Sequence, residues 1–486
     1  MAAEPAPGGG GPIARAEPAR MPDRPRDWRA ELRATIALGL PLIGAQLAQI
    51  GINTTDTVMM GRLGAEALAA GALGTTLLFL VIIVQIGLSA GVGTLVAQAR
   101  GARASAVREP RRIVRQGFWA VTGWALLGML ALTGGERLLV LANQEPATAA
   151  RAMDYLWPAL WSLPFSGLYV VLRAFVLSLE RTREVFLITL SAIVVNACLN
   201  AVLMFGHLGF PALGIAGTGI ATAVTNAYQF AALAWLVTRD PAIRRYSVLG
   251  RFWRPDPRML ARVLRLGLPI ALLLIAEVGT FAGSTAIAGM VGTQTLAAHA
   301  IALQVASVTF MVPLGLSQAT NVRVGLAYGR GRGVALAGHV SLALGLVFAA
   351  VAALVMVAVP GTLVAAFIDA DAAATTAALA TSFLLFAALF QLVDAGQVVL
   401  AASLRGIGDT TVPLVLGVLG YWGVGLPLGA LLALGPPPAL RGSAPAWEPW
   451  GGLGVWAGLA TGLAAVCALL AVRWMVQLAR VRAARH

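Results

Sequence analysis

Leu38-Gly39-Leu40-Pro41 returns as Leu266-Gly267-Leu268-Pro269, an offset of 228 residues, and each copy opens a long apolar run. Working outward, the same offset carries Gly61 to Gly289, Leu68-Ala69-Ala70 to Leu296-Ala297-Ala298, and Gly87-Leu88-Ser89 to Gly315-Leu316-Ser317. It also carries Val170-Val171-Leu172 to Val398-Val399-Leu400 and Thr182 to Thr410. Gly219-Ile220-Ala221-Thr222 pairs with Gly458-Leu459-Ala460-Thr461 after a longer segment, 435–451. The chain is therefore one body duplicated.

That body is apolar. The 486 residues are 58% hydrophobic and only 12% charged, with a mean hydropathy of +0.81, well outside the range of a soluble globular domain. A membrane-spanning helix needs about 20 apolar residues. Runs of that kind fall near 35–58, 68–98, 116–136, 154–178, 185–206 and 213–237, then near 262–287, 295–326, 333–358, 375–402, 411–434 and 452–476. The expected fold is all-α and integral to the membrane: twelve transmembrane helices in two six-helix bundles. An even number of spans per repeat keeps both copies in one orientation, so the pseudo-two-fold axis runs along the membrane normal.

The expected domains follow: a disordered cytoplasmic tail over 1–31, an N-terminal lobe over 32–237, a basic cytoplasmic linker over 238–261, a C-terminal lobe over 262–476 and a short tail over 477–486. The first thirty residues carry no apolar core of a signal peptide. Asp240-Pro241 and Pro255-Asp256-Pro257 break the linker. Segment 435–451, with Trp447 and Trp450, reads as the longest outer loop and an interfacial anchor.

A formal net charge of +14 raises the question of nucleic acid, but the distribution answers it. All of the basic residues are Arg, and they cluster at 15–33, 100–115, 239–265, 323–332 and 473–485. Positive charge resists translocation and stays on cytoplasmic loops. The pattern places both termini in the cytoplasm of a bacterial inner membrane, with the lipid bilayer rather than nucleic acid as the surroundings. Cys198 and Cys467 lie singly in apolar runs, which suits neither a disulfide framework nor a zinc site.

Ionisable groups inside spans cost about 2.5–3.5 kcal/mol each on insertion scales and mark function by default. Three carboxylates qualify. Asp56 closes a series Gln46, Gln49, Asn53, Asp56 whose spacings of 3, 4 and 3 put all four on one helix face; such a face lines a cavity, unless Asp56 is simply hydrated at the outer interface. Glu277 shares a face with Thr280 and Ser284, and Asp394 is flanked by Gln391 and Gln397. By the repeat, Asp56 corresponds to Ser284, Glu277 to Gln49 and Asp394 to Ser166. Each acid meets a neutral polar group in the other half. The halves share a frame and differ in charge, and the two acids of the second half are placed to bind a cation together.

Asn196 and Asn200 are one turn apart and within plausible reach of Asp56, or else serve as interhelical glue. His299 reads as a core histidine, Arg173 as a snorkelling or carbonyl-capping side chain, and Asp369 and Asp371 as solvated loop acids. The stretch Gly87 to Gly93 reads as close helix packing, with no lysine of a phosphate loop.

In this order on twelve spans, several motifs resemble the multidrug and toxic compound extrusion (MATE) family, in particular its NorM-like bacterial branch. They are Asp56-Thr57-Val58-Met59-Met60-Gly61, Leu172-Arg173-Ala174-Phe175 with Arg181-Thr182-Arg183, Leu296-Ala297-Ala298-His299, and Val393-Asp394-Ala395 with Leu404-Arg405-Gly406-Ile407-Gly408-Asp409. The resemblance implies a secondary antiporter, not an enzyme. It would export organic cations or amphipathic drugs against Na⁺ or H⁺, without a cofactor and as a monomer. It implies a cation site, suited to Na⁺, at Glu277 and Asp394, and a protonation site at Asp56 with Asn196 and Asn200, with Gln49, Asn53 and Gln391 as supporting polar groups. One departure is Phe390, where NorM-like members often carry a tyrosine that offers a cation-coordinating hydroxyl; its loss weighs against Na⁺. The rival reading is a lipid-linked oligosaccharide flippase of the related two-lobe superfamily, which calls for a strongly cationic cavity. An intramembrane enzyme would call for a convergent His, Cys or metal-ligand cluster; with four His and no HExxH or DDxxD-type motif it ranks last.

Overall fold

The structure, a computed structural model, describes residues 27–250, 254–368, 373–436 and 449–483. These are helical, with no strand among the described residues. The first half comprises α1 (Trp28–Arg62), α2 (Ala65–Ala102), α3 (Arg108–Leu132), α4 (Gly135–Leu141), α5 (Pro146–Ala159), α6 (Ser162–Ser178), α7 (Thr182–Phe205) and α8 (Ile215–Arg239). A short α9 (Pro241–Arg244) leads to the second half: α10 (Pro257–Val291), α11 (Thr293–Gly329), α12 (Val334–Ala358), α13 (Pro360–Ala365), α14 (Ala374–Gly406), α15 (Thr411–Val418), α16 (Leu426–Leu434) and α17 (Gly452–Ala483). A π-helical stretch, Leu419–Gly425, joins α15 to α16.

Ten of these helices are long and apolar enough to cross a membrane, counting α15 to α16 as one span. The pairs α3–α4 and α5–α6 are bent by 64° and 53°. Taking each bent pair as one span brings the total up to twelve. The third and fourth spans are thus broken rods. Pro158 and the residues Leu160–Trp161 mark the second break, where a proline withholds its N–H and its ring crowds the preceding turn.

Helices run longer than the apolar runs alone suggest. At 1.5 Å per residue α1, with 35 residues, is about 50 Å long, against a hydrocarbon core of about 30 Å, so its polar end projects beyond the bilayer. Two boundaries move as a result. The tail expected over 1–31 ends sooner, because the Asp27 side chain caps α1 by accepting the Arg29 N–H at 3.1 Å, and Trp28 to Glu31 are already helical. The tail expected over 477–486 is helical to Ala483. Residues 1–26 and 484–486 lie outside the described residues, as do Asp369, Asp371 and Trp447.

The linker is docked. Tyr246 is buried and stands edge-on to Phe175, with ring centroids 5.4 Å apart. Arg111 and Arg115 of α3 donate to its backbone carbonyls at Tyr246 and Ser247. Arg112 pairs with Asp256, which also caps α10 through the Met259 N–H. The Arg112 guanidinium and that N–H hold the Asp256 carboxyl below the usual carboxylate range.

The two halves meet through the starts of α1 and α10 and the later parts of α2 and α11. A Cβ at Gly87 would stand 2.5 Å from Ala271 Cα, and one at Gly315 would stand 2.8 Å from Ile43 Cα. Gly87 and Gly315 are 228 residues apart, and so are Ile43 and Ala271. The repeat read from sequence is therefore a symmetry of the packing. All of these contacts fall on the side of the Arg-rich segments, hereafter the basic face. A single apolar core, running from Val92 and Leu95 to Val263 and Val322, is continuous across this seam.

Candidate ion-coupling site

In the first half, α1 and α7 lie side by side, with Gly51 making room for Ile193. One turn further, the Asn200 amide donates to Asp56 Oδ1 at 2.6 Å, and to Asn196 Oδ1 at a long 3.4 Å. Asn196 and Asn200 are fully buried, whereas Asp56 is half-buried. Asn196 Nδ2 and Asn200 Oδ1 are buried without a partner, which leaves this cluster one donor and one acceptor to offer. Tyr155 of the broken fourth span is also here, beside Thr75 and Thr222 and within electrostatic reach of Asp56. Tyr155 was not singled out from sequence, because its place depends on the bend between α5 and α6.

Gln49 and Asn53 do not join that cluster. Both are exposed. Their face of α1 begins at Gln46, whose Oε1 accepts from Arg173 Nη2 at 3.0 Å. The same nitrogen donates to Gln318 of the other half at 2.7 Å. Arg173 thus bridges the halves instead of snorkelling to an interface. Gln49 and Asn53 lie one and two turns beyond Gln46 on that face of α1, past the contact with the other half, and both are exposed.

In the second half the acids converge. Asp394 of α14 is 2% exposed, and its Oδ1 has no partner. Glu277 of α10 is half-buried and within electrostatic reach of Asp394. Its repeat counterpart is the exposed Gln49, and Glu277 is the less buried of the two acids. A buried carboxylate oxygen without a partner is costly. Such a pair can receive a positively charged group or a proton. Arg405 at the end of α14 is the cation within electrostatic reach of Glu277.

Of the two glutamines flanking Asp394, Gln391 turns away and donates to Thr309 Oγ1 on α11. Gln397 turns inward and donates to the Tyr421 hydroxyl, and its own Oε1 is buried without a partner. Tyr421 is fully buried and within electrostatic reach of both acids. It sits on the π-helical stretch, a distortion that often marks functional sites. The Trp422 indole of that stretch donates to the Ala276 carbonyl at 3.0 Å, tying it to the residue before Glu277. Tyr421 thus brings a hydroxyl to the acids from a different span, whereas Phe390 packs between Phe281 and Trp456. Further out, His299 is buried, with Nε2 3.3 Å from Thr285 Oγ1 and its ring against Trp456.

Among the described residues no three His, Cys, Asp or Glu side chains converge as a metal centre would require. A cation between Glu277 and Asp394 would be completed by neutral oxygens, of which Tyr421 Oη and Gln397 Oε1 are at hand.

Comparison with known proteins gives a consistent result. A family model described as MatE matches residues 41–202 and again 269–431, once per half. A probable multidrug resistance protein NorM of Mesorhizobium japonicum is 46% identical over 453 residues, covering 92% of this chain and 94% of the relative. The multidrug resistance protein NorM of Burkholderia vietnamiensis is 37% identical over 458 residues, covering 93% and 95%. Among solved structures, one described as the outward-facing conformation of a multidrug resistance MATE family transporter aligns with a TM-score of 0.80 at 17% identity, over 93% of this chain and 96% of that one. A eukaryotic MATE transporter aligns with a TM-score of 0.80 at 18% identity, over 94% and 99%.

Proposed function

The chain belongs to the MatE family, and on that premise we propose that it is a multidrug efflux antiporter. It exports organic cations or amphipathic drugs across the bacterial inner membrane in exchange for Na⁺ or H⁺. In this reading the lobes are 32–237 and 262–476, joined by the linker 238–261, and both termini and the basic face are cytoplasmic. One chain holds both lobes and the seam between them, so the monomer is the working unit.

The observation that carries the proposal is the pair Glu277 and Asp394, one acid half-buried and the other buried with an unpartnered oxygen; in this reading the drug binds in a gap between the lobes beside them. Binding Na⁺ or H⁺ there neutralises charge that the protein interior disfavours. A cationic drug in the gap favours the same acids without the ion. Two ligands that compete for one pair of charges exclude each other, and linkage makes the effect reciprocal. Alternation of the gap between the two membrane faces then converts exclusion into exchange. Asp56, with its two asparagines, gives the first lobe a separate protonation site.

A flippase for a lipid-linked pyrophosphate would need free guanidinium groups in the gap. Arg173, at the seam, is engaged by Gln46 and Gln318, and the acids of the second lobe oppose an anionic cargo.

The test is transport of ethidium in proteoliposomes under an imposed proton or Na⁺ gradient. Asp394→Asn and Glu277→Gln should each abolish gradient-driven transport. Transport unchanged in both variants would sink the assignment.

A further inference from the structure

We infer that Arg323, Glu31 and Glu180 form a latch closing the basic face along one edge of the seam, and that the lobes part at this edge while pivoting about the opposite one. This rests on the alternating-access reading above.

The geometry is that of a built contact. Arg323, on α11 of the second lobe, is 8% exposed. Its Nε and Nη2 donate to Glu31 Oε1 and Oε2 at 2.9 and 2.7 Å, a bidentate pair with a residue of the first turn of α1 that is itself 2% exposed. Its Nη1 donates to Glu180 Oε1 at 2.7 Å, beyond the end of α6. Both carboxylates come from the first half of the chain, Glu31 from α1 and Glu180 from the turn after α6. The fork of an arginine matches a carboxylate in this way and fixes its orientation.

The repeat shows that this edge is specialised. At the 228 offset Arg323 corresponds to Leu95, Glu31 to Met259 and Glu180 to Gly408. Leu95 and Met259 are buried in one apolar core. Gly408 adopts φ +88, a left-handed turn that glycine takes at no steric cost. Glu180 keeps the same left-handed turn at φ +63, a conformation that a residue with a long side chain rarely holds and that costs free energy. The first half carries a carboxylate on the turn that the second half makes with glycine.

The two edges differ in what opening costs. Opening the part of the core that holds Leu95 and Met259 exposes apolar surface, at about 25 cal/mol per Å². Parting Arg323 from its carboxylates exposes charges that water solvates, and desolvation has already offset much of their attraction in the closed state. A charged contact therefore comes apart cheaply once wetted and re-forms in one register. The apolar edge is the pivot and the charged edge is the one that opens.

The test is labelling of a single cysteine at Thr94, which is fully buried in the seam and bonded to Asn321 across it, with Cys198 and Cys467 replaced by Ser. In detergent-purified protein, Arg323→Gln should raise the maleimide labelling rate about 10-fold or more, the scale of a lost charge-assisted hydrogen bond. Glu180→Gly puts at this turn the residue found at Gly408, so the variant relieves the backbone strain while it removes the carboxylate. It should also raise labelling, and Met259→Ala should raise it less than either. Unchanged labelling in both Arg323→Gln and Glu180→Gly, or the largest rise in Met259→Ala, would overturn the latch. Raised labelling in protein that shows no gradient-driven transport would sink the antiport reading and leave the latch standing.

Discussion

Gly87 of α2 lies against the backbone at Ala271 just as Gly315 of α11 lies against the backbone at Ile43, one contact seen from each side of a pseudo-two-fold axis. Alanine at either position places a methyl group where the other lobe already stands. Gly87→Ala and Gly315→Ala should each destabilise the protein by about 1–3 kcal/mol, the cost of overpacking. Gly61→Ala and Gly289→Ala, the same repeat relation in open surroundings, should be neutral or slightly stabilising. Thermal unfolding in detergent reads the difference, and four equal shifts would contradict it.

Asn200 holds Asp56 by a short hydrogen bond in a buried cluster. Asn200→Ala leaves the carboxylate without that donor, at about 1.5–3 kcal/mol for a bond to a charged group. Proton-driven export should fall by about 10-fold or more in rate, and Asp56→Asn should behave similarly. A full rate in Asn200→Ala would remove the cluster from the coupling scheme.

Tyr421 accepts from Gln397, which already has one polar end unpartnered. Tyr421→Phe should leave the protein folded, because the ring is kept. It should raise the Na⁺ or proton concentration needed for half-maximal transport by about 5- to 10-fold, as the loss of one neutral ligand or donor implies. An unchanged ion dependence would show that the hydroxyl only fills space.

Asp256 is held below the usual carboxylate range by Arg112 and the Met259 N–H. A group with a depressed folded pKa stabilises above its unfolded value and stops doing so as pH falls through its folded one. Asp256→Asn should therefore melt at a lower temperature than the parent at neutral pH. The gap should close as pH falls below the carboxylate range. A gap that does not narrow with acid would mean that the pair contributes nothing to docking the linker.

Much of the frame was legible in the sequence because membranes enforce it. Spans must be long and apolar, and duplication keeps its offset, so Leu38 to Pro41 and Leu266 to Pro269 were enough to reveal the repeat. The acids were legible because Asp56, Glu277 and Asp394 interrupt apolar runs. Other features depend on a bend or an irregular turn. Tyr155 reaches the Asp56 cluster through the break between α5 and α6, and Tyr421 reaches the acids through a π-helical turn. Glycines at 420, 423 and 425 were the available signal for that turn. Glu31 was read into the tail because it follows a Pro- and Arg-rich segment, and nothing local reveals a partner 292 residues away.

The account's central claim is that the coupling ion and the drug compete for Glu277 and Asp394. The most direct measurement is ion release from detergent-purified protein on addition of ethidium, followed separately for protons and for Na⁺. The account predicts release of one ion by the parent protein and its loss in Asp394→Asn. Release of the same size from Asp394→Asn and from Glu277→Gln would contradict it.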